Sequence, residues 1–271
     1  MKLQLRITKP AMEDTESIPG RILRKMGFRA ESRGLFDRYI NVEGAWEGHL
    51  ERTRGFIARV VNDRKFDNMA VLGSGWLLDV PLELLSRISG HVWLYDAVHP
   101  RQVVHRLRGF PNITTVSADI TGGVLKSTFQ AVRDYKRHRI MWTPEQICSG
   151  DFKPEPVPDF IISLNLFSQI GVMITDYLRK YIPLGEEETE RINVLLQQSH
   201  LRLLRPGKSC LITDIREKNT DLENGTLETT GLTGLSFPAA ASTDTWEWQF
   251  DPGGGYRAGK KTVMQVLALE F

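Results

Sequence analysis

Residues 69–79 read Met-Ala-Val-Leu-Gly-Ser-Gly-Trp-Leu-Leu-Asp, and this segment limits the possible folds more than any other. Its apolar run predicts a buried strand, Gly73 and Gly75 predict a tight turn, and the amphipathic pattern behind them predicts a helix that begins at once. Glycine is needed where the backbone bends sharply or comes close to a ligand. Such a turn, followed by the free N–H groups of a helix start, holds a nucleotide-like ligand at the carboxyl edge of a parallel sheet.

Strand-like and helix-like segments alternate along most of the chain, which predicts a parallel sheet with right-handed crossovers. Predicted strands cover 68–73, 91–96, 112–117, 159–164 and 209–215, and predicted helices cover 18–26, 44–62, 77–88, 99–108, 121–139, 168–182 and 186–204. Two more strands, 245–250 and 262–269, predict an antiparallel hairpin. The predicted fold is therefore α/β and Rossmann-like: a doubly wound, mostly parallel seven-stranded sheet with a C-terminal antiparallel hairpin and an N-terminal helical extension.

The sequence divides into two predicted parts. Residues 1–43 are rich in arginine and lysine and predict a wrapping arm with one short helix, whereas residues 44–271 predict the ligand-binding domain. Residues 217–243 contain Gly, Thr, Ser, Asn and Pro with little periodicity. This composition predicts a long irregular excursion, of a kind that is often functional.

Composition and charge weigh against several classes of protein. The net charge of +2 gives no general nucleic-acid footprint. The basic run at 133–139 is best interpreted as a solvated helix end, although with the basic arm it offers an alternative contact for RNA phosphates. No apolar stretch approaches the ~20 residues of a membrane span, and the start is too short in apolar residues for a signal peptide. Only two cysteines occur, Cys148 and Cys210, which favours a reducing, cytoplasmic location.

Two carboxylates follow the glycine turn at the next two strand ends. Asp96 closes the second strand about 20 residues after Gly75, a spacing at which an acidic residue accepts hydrogen bonds from both ribose hydroxyls. Asp119 follows the third strand, where a carboxylate is placed to accept from the amine of an adenine. Each feature alone has a structural alternative: a plain turn for the glycines, and a helix cap for each aspartate. Together they describe an adenosine-shaped site.

These motifs resemble those of the class I S-adenosylmethionine-dependent methyltransferases, over roughly residues 44–271. The resemblance is carried by Val71-Leu72-Gly73-Ser74-Gly75, Leu94-Tyr95-Asp96, Ala118-Asp119-Ile120, Leu204-Arg205-Pro206-Gly207-Lys208 and the closing hairpin. It implies that S-adenosylmethionine is the cofactor, with the glycine turn beneath its methionine part and ribose. The acid after the second strand then binds the ribose hydroxyls, and the acid after the third strand meets the adenine. The implied cofactor-binding residues are Leu72, Gly73, Ser74, Gly75, Asp96, Ala97, Asp119, Ile120 and Asn165.

The chain also departs from the family's pattern. Val71 stands where the family often has an acidic residue, and Leu77 stands where it often has a third glycine. The Asn/Asp-Pro-Pro-aromatic signature is absent, and the fourth strand runs into Ser-Leu-Asn-Leu-Phe-Ser-Gln at 163–169 instead. This difference argues against N-methylation of adenine or cytosine in DNA, and it leaves the acceptor open.

No residue is assigned to catalysis outright. The candidates are Asn165 and Gln169, which follow the fourth strand, and His49, a possible general base on the helix before the first strand. Asp79 either faces the cofactor's ammonium group or caps the following helix. No histidine spacing is typical of a metal site, so no metal is predicted.

The predicted function is methyl transfer from S-adenosylmethionine to an unidentified acceptor by in-line displacement, in which alignment of donor and acceptor is the main requirement. Two alternatives stay open. A non-catalytic protein that kept the fold would bind the cofactor or a nucleotide without transfer. A nicotinamide-dependent oxidoreductase would share the turn and the ribose acid, but it needs a third glycine where the chain has Leu78. The sequence gives no prediction for the oligomeric state, and neither a membrane nor a nucleic-acid partner is predicted.

Overall fold

One eight-stranded sheet organises residues 18–271, the part of the chain that this computed structural model describes. The strands are β1 (Phe66–Leu72), β2 (Ser89–Asp96), β3 (Ile113–Ser117), β4 (Phe160–Leu164), β5 (Ser209–Asp221), β6 (Leu227–Gly231), β7 (Ser242–Asp251) and β8 (Lys260–Glu270). The helices are α1 (Gly20–Met26), α2 (Phe28–Asn41), α3 (Glu47–Val60), α4 (Leu82–Ile88), α5 (Arg101–Arg106), α6 (Val124–His138), α7 (Pro144–Ile147), α8 (Val172–Arg179) and α9 (Glu186–Leu201).

The strand order confirms the predicted fold class. Seven strands form the path β3-β2-β1-β4-β5-β8-β7, and the short β6 pairs with β5 outside that path. The first five strands of the path are parallel, whereas β8 and β7 run antiparallel at its end. The order of the strands reverses between β1 and β4. In open α/β sheets ligands bind at this switch point, beyond the carboxyl ends of the strands.

Burial on both faces explains why the parallel strands read as continuous apolar runs. Alternate side chains of β1 enter two different clusters, because successive residues of a strand point to opposite faces. Met69 and Val71 pack with α3 and α4, whereas Ala70 and Leu72 pack on the other face with Phe167. All five residues of β4 are buried.

The helix after the glycine turn begins later than predicted. Leu77 has a left-handed φ of +58°, and Pro81 stands immediately before the first residue of α4, Leu82. Proline fits the start of a helix but not its interior, so the helix cannot extend back to residue 77. The prediction that a helix start follows Gly75 directly is therefore wrong, and an extended loop takes its place.

The N-terminal extension is helical where the structure describes it, but it has more helix than the one short helix predicted. The predicted helix at 18–26 is α1, and a second helix, α2, follows at Phe28–Asn41. None of the residues of α2 is buried, so its sequence carries no strong apolar stripe.

The prediction of an irregular excursion over residues 217–243 is wrong in part. Within residues 217–243, β5 continues as far as Asp221 and β6 follows it. Inward positions of this part of β5 carry Glu217 and Asn219 instead of apolar residues, so the period of two is hidden. Arg257 pairs with Glu217, and Thr262 bonds Asn219.

Two remaining observations concern membrane-spanning helices and the two cysteines. Between residues 18 and 271, no helix combines the length and the apolar character needed to cross a membrane. Cys148 and Cys210 are both free thiols. The division of the chain at residue 44 stays a prediction, as does the cytoplasmic location.

A buried pair, Ser163 on β4 and His200 on α9, makes stability depend on pH. The Ser163 hydroxyl lies 2.7 Å from Nε2 of His200, and burial lowers the pKa of this histidine from 6.5 to about 4. The unfolded chain therefore binds a proton at His200 at a higher pH than the folded chain does. This contribution to stability is complete above pH 6.5 and is lost as the pH falls toward 4.

We expect the free energy of unfolding of the wild type to fall relative to that of His200→Gln, with a slope that approaches about 1.4 kcal/mol per pH unit in the middle of this window. Urea unfolding of both proteins at pH 7, 6 and 5 measures the difference. The comparison isolates His200, because all other titrating groups are shared. Parallel pH dependences of the two proteins would contradict the prediction.

Candidate functional site

The glycine turn lies at the carboxyl edge of the sheet and joins three strands. Gly73 and Gly75 have left-handed φ angles of +83° and +43°. The backbone N–H of Gly73 donates to the carbonyl of Tyr95 on β2 at 2.9 Å. A Cβ on Gly73 would lie 2.5 Å from the carbonyl oxygen of Leu164 on β4, whereas one on Gly75 would approach nothing closer than 3.8 Å. Only glycine therefore fits at 73, because β1 and β4 approach each other closely there.

Asp96 is tied to this turn. Its Oδ2 accepts from the backbone N–H of Gly75 at 2.9 Å, and its Oδ1 accepts from that of Val98 at 3.2 Å. The pKa of this carboxyl lies above its ordinary value, because burial raises it and the backbone hydrogen bonds offset only part of the rise. A carboxylate has about four acceptor positions, so lone pairs remain for the hydroxyls of a ligand. The structure thus brings the predicted turn and the predicted ribose acid into direct contact.

A cavity of about 220 Å³ opens beside the turn, and we call it the first cavity. Its lining includes most of the predicted residues at the tips of β1, β2 and β4: Gly73, Ser74, Gly75, Asp96, Asn165 and Gln169. His49 of α3 and Asp79 also line it. The predicted residues Leu72, Ala97 and Ile120 do not. Leu72 and Ile120 are buried, and Ala97 packs against the helices of a different cluster.

Asp119 lies elsewhere. It lines a second cavity of about 320 Å³ at the tip of β3, together with Ala118 and Gly122. Its oxygens accept from the backbone N–H groups of Thr121 and Leu125, each at 3.0 Å, and from the Thr121 hydroxyl. These contacts match the alternative in which Asp119 caps the turn into α6. The two aspartates therefore follow neighbouring strands, but they line separate cavities rather than the single cleft that we predicted.

Four polar side chains from distant segments form a group that we call the polar cluster: His49, Asp79 and Asn165, which line the first cavity, and Trp246, which lies behind His49. Asn165 Nδ2 lies 2.7 Å from Asp79 Oδ2 and 3.3 Å from His49 Nε2. The indole N–H of Trp246 donates to His49 Nδ1 at 3.1 Å. Asn165 has a left-handed φ of +46°, and its Oδ1 is buried without a hydrogen-bond partner among residues 18–271.

Burial shifts both titratable groups of the polar cluster. It lowers the pKa of His49 to about 3, so the ring is neutral at neutral pH and is a weak base. It raises the pKa of Asp79 to about 6, and hydrogen bonds and Arg54 oppose this shift. Asp79 does not cap α4, which has no side-chain cap. The acid–base group with a pKa near neutrality is therefore Asp79, not the predicted candidate His49.

Aromatic residues that we did not predict complete the wall of the first cavity. Trp76, directly after the turn, donates its indole N–H to the Ser32 carbonyl at 2.7 Å and stacks on Phe36 at 4.0 Å between ring centroids. Helix α2 thereby closes one side of the cavity. Trp248 of β7 also lines the cavity and stacks against His49, with 4.0 Å between the ring centroids. No local pattern could reveal these contacts, because each joins segments that are far apart in the chain.

The charged side chains that line the first cavity are acidic. Among residues 18–271 they are Glu31, Asp79 and Asp96, and Arg54 acts on Asp79 from outside the lining. The rings of Phe28, Trp46, Trp76 and Trp248 form much of the remaining surface. Carboxylates and aromatic faces both favour a cation. In the part of the chain from residue 18 onward, no group of three or more His, Cys, Asp or Glu side chains is arranged to hold a metal ion.

Comparisons with known proteins give similarity only at the level of structure. No protein-family model matches the chain, and no curated protein matches its sequence. One similar structure is the N-methyltransferase NodS from Bradyrhizobium japonicum with bound S-adenosylhomocysteine, at 12% identity and a TM-score of 0.36, covering 81% of this chain and 86% of that one. Another is the DhpI complex with SAH, at 12% identity and a TM-score of 0.38, covering 93% and 99%. A third is the 1,6-didemethyltoxoflavin-N1-methyltransferase of Burkholderia thailandensis, at 9% identity and a TM-score of 0.43, covering 96% and 94%.

Similarity at this level carries no conclusion about activity, and the fold is established by the chain itself. Five parallel strands reverse their order at the glycine turn, and an antiparallel pair closes the sheet. The predicted ribose acid lies at the end of β2, in contact with the turn. By its own topology, this chain has the Rossmann-like α/β fold that the sequence predicts, a mostly parallel sheet closed by an antiparallel pair.

Proposed function

We propose that the chain binds S-adenosylmethionine in the first cavity and transfers its methyl group to an acceptor. The observation that carries this proposal is the 2.9 Å hydrogen bond between Gly75 and Asp96, at the edge of a cavity lined by carboxylates and aromatic rings. The carboxylate suits the two hydroxyls of a ribose. Aromatic faces stabilise an organic cation by about 0.5–2 kcal/mol, and the sulfonium of this cofactor is such a cation.

The adenine contact requires the ligand to span two cavities. With the ribose at Asp96, the adenine reaches Asp119 only if the ligand extends from the first cavity into the second. The two cavities lie at the tips of adjacent strands, since β2 pairs with β3 through Asp96 and Ser117. We propose this extended arrangement, in which Asp119 still meets the adenine as the resemblance implies.

A nicotinamide dinucleotide fits this site less well. Its pyrophosphate normally binds the N–H groups of a helix that begins at the glycine turn. Here α4 begins only at Leu82, and the loop between carries the acidic Asp79 toward the cavity. A pyrophosphate would also meet Glu31 and Asp96 without a compensating cation from the lining residues.

Methyl transfer mainly requires the protein to align the donor with the acceptor. When bound, the cofactor supplies a methyl group on a positively charged sulfur. The positive charge makes the sulfur a good leaving group. The chain's residues have to hold donor and acceptor in line at near-contact distance and keep water out. The aromatic wall formed by Trp46, Trp76 and Trp248 is suited to that task. The catalytic candidates Asn165 and Gln169 line the same cavity.

Calorimetric titration tests the proposal directly. We expect saturable binding of S-adenosylmethionine and S-adenosylhomocysteine and no binding of NADH. Either ligand at 100 times its dissociation constant should raise the free energy of unfolding by about 2.7 kcal/mol. Absence of both heat and thermal shift with both ligands would rule the proposal out. Binding without transfer of a labelled methyl group to broad acceptor pools would instead favour a non-catalytic binding protein.

A further inference from the structure

The polar cluster holds one group that can accept a proton. The indole N–H of Trp246 can only donate, so Nδ1 of His49 accepts and carries no hydrogen. Burial keeps the ring neutral. A neutral imidazole has one N–H, which therefore lies on Nε2 and faces Asn165. His49 is thus a fixed donor within the cluster, and Asp79 is the member that can change its protonation state.

The amide of Asn165 can serve both states of Asp79. One of its terminal atoms lies 2.7 Å from Asp79 Oδ2 and 3.3 Å from His49 Nε2. With nitrogen in that position, the amide donates to an ionised Asp79, and the His49 N–H has no acceptor in Asn165. With oxygen in that position, the amide accepts from a protonated Asp79 and from the His49 N–H. A half-turn of the amide therefore gives Asp79 a hydrogen bond in both states, and it satisfies the His49 N–H once Asp79 is protonated.

The surroundings of the polar cluster favour a cationic or basic molecule. The ring of Trp248 covers His49, and the edge of Trp46 packs against Trp248 with centroids 4.8 Å apart. Glu31 and Asp96 add negative charge along the same cavity. Arg54 is the cation that acts on Asp79, and its guanidinium is already bonded to the carbonyl of Leu78. An anionic acceptor would meet repulsion here, whereas an organic amine would be attracted.

We propose that the methyl acceptor is an organic amine on an apolar frame and that Asp79 takes its proton, an inference that rests on the proposed function. The amine binds in its ammonium form and first gives one proton to the carboxylate of Asp79, which frees the nitrogen lone pair, and the amide of Asn165 turns to accept from the protonated acid. The lone pair then forms the new N–C bond while the C–S bond breaks, and the electron pair of the broken bond stays on sulfur as a neutral thioether. The methylated nitrogen leaves as a cation that keeps its remaining protons.

Matched ligands on two frames test the acceptor class. Benzylamine and cyclohexylamine are titrated into protein saturated with S-adenosylhomocysteine, beside their corresponding alcohols and carboxylates. Quenching of tryptophan fluorescence reports binding, because three tryptophans line the first cavity. We expect at least one amine to bind ten-fold more tightly than its alcohol, and neither carboxylate to bind. With each variant saturated with S-adenosylhomocysteine, Asp79→Asn should remove the amine preference, whereas Asp79→Glu should retain part of it.

The outcomes separate this inference from the proposed function. Failure of S-adenosylhomocysteine to bind the wild type counts against the proposed function itself. Normal binding of that ligand with no amine preference overturns the inference alone. If Asp79→Asn weakens the binding of S-adenosylhomocysteine and leaves the amine preference intact, Asp79 holds the cofactor's ammonium group, and the inference is again overturned. Asp176→Asn, at an exposed position on α8, is the matched control and should behave as the wild type.

Discussion

Gly73→Ala is expected to destabilise the protein by about 2–5 kcal/mol, far more than the same change at Gly75. Two costs add at position 73. A residue with a Cβ pays about 1–2 kcal/mol in a left-handed conformation. The new Cβ would also lie 2.5 Å from the Leu164 carbonyl, so β1 and β4 must move apart. Such overpacking typically costs about 1–3 kcal/mol.

Gly75→Ala provides the matched comparison. Its φ of +43° incurs the conformational cost, but the nearest atom to its Cβ is Asp96 Oδ2 at an ordinary 3.8 Å. We therefore expect a loss of only about 1–2 kcal/mol. Urea unfolding measures both variants at one pH. Equal losses for the two variants would show that the close approach of β1 and β4 does not constrain residue 73.

Asp96→Ala is expected to weaken the binding of S-adenosylhomocysteine by at least 100-fold, or about 2.7 kcal/mol. The proposed ribose contact consists of two hydrogen bonds to a charged acceptor, and each such bond contributes about 1.5–3 kcal/mol. The substitution also removes the acceptor for the Gly75 N–H, which orders the turn beneath the ligand. Calorimetric titration of the wild type and the variant gives the ratio of affinities.

Two companion variants make this result specific. Asp176→Asn should leave the affinity unchanged, because Asp176 is exposed on α8 and does not line the first cavity. Asp119→Asn should lower the affinity about ten-fold if the adenine reaches the second cavity. An unchanged affinity in Asp119→Asn would limit Asp119 to capping the turn before α6. An Asp96→Ala protein that binds normally would contradict the proposed ribose contact.

The parallel core and the glycine turn could be predicted because their signals are local. A strand that is covered on both faces needs an unbroken apolar run, and β4 has one over its whole length. The positive φ at Gly73 favours a residue without a Cβ, whatever packs around it. The proximity of Gly75 and Asp96 could also be predicted, because each follows a parallel strand and adjacent parallel strands end at one edge of the sheet. A local signal also gave a wrong prediction at Leu77, where the apolar pattern indicates a helix but the structure has a loop.

Sequence alone determined the parallel strands, the turn and the acid that follows β2, since each has a signal within a short stretch of the chain. Tertiary structure alone decided which side chains enclose the first cavity. Asn165 meets His49 across 116 positions and Asp79 across 86. Trp76 donates to the carbonyl of Ser32 in α2, and the sequence of α2 has no apolar stripe that would reveal how this helix packs. Such contacts depend on how distant elements pack together, and the pKa of Asp79 is raised only because that packing buries it.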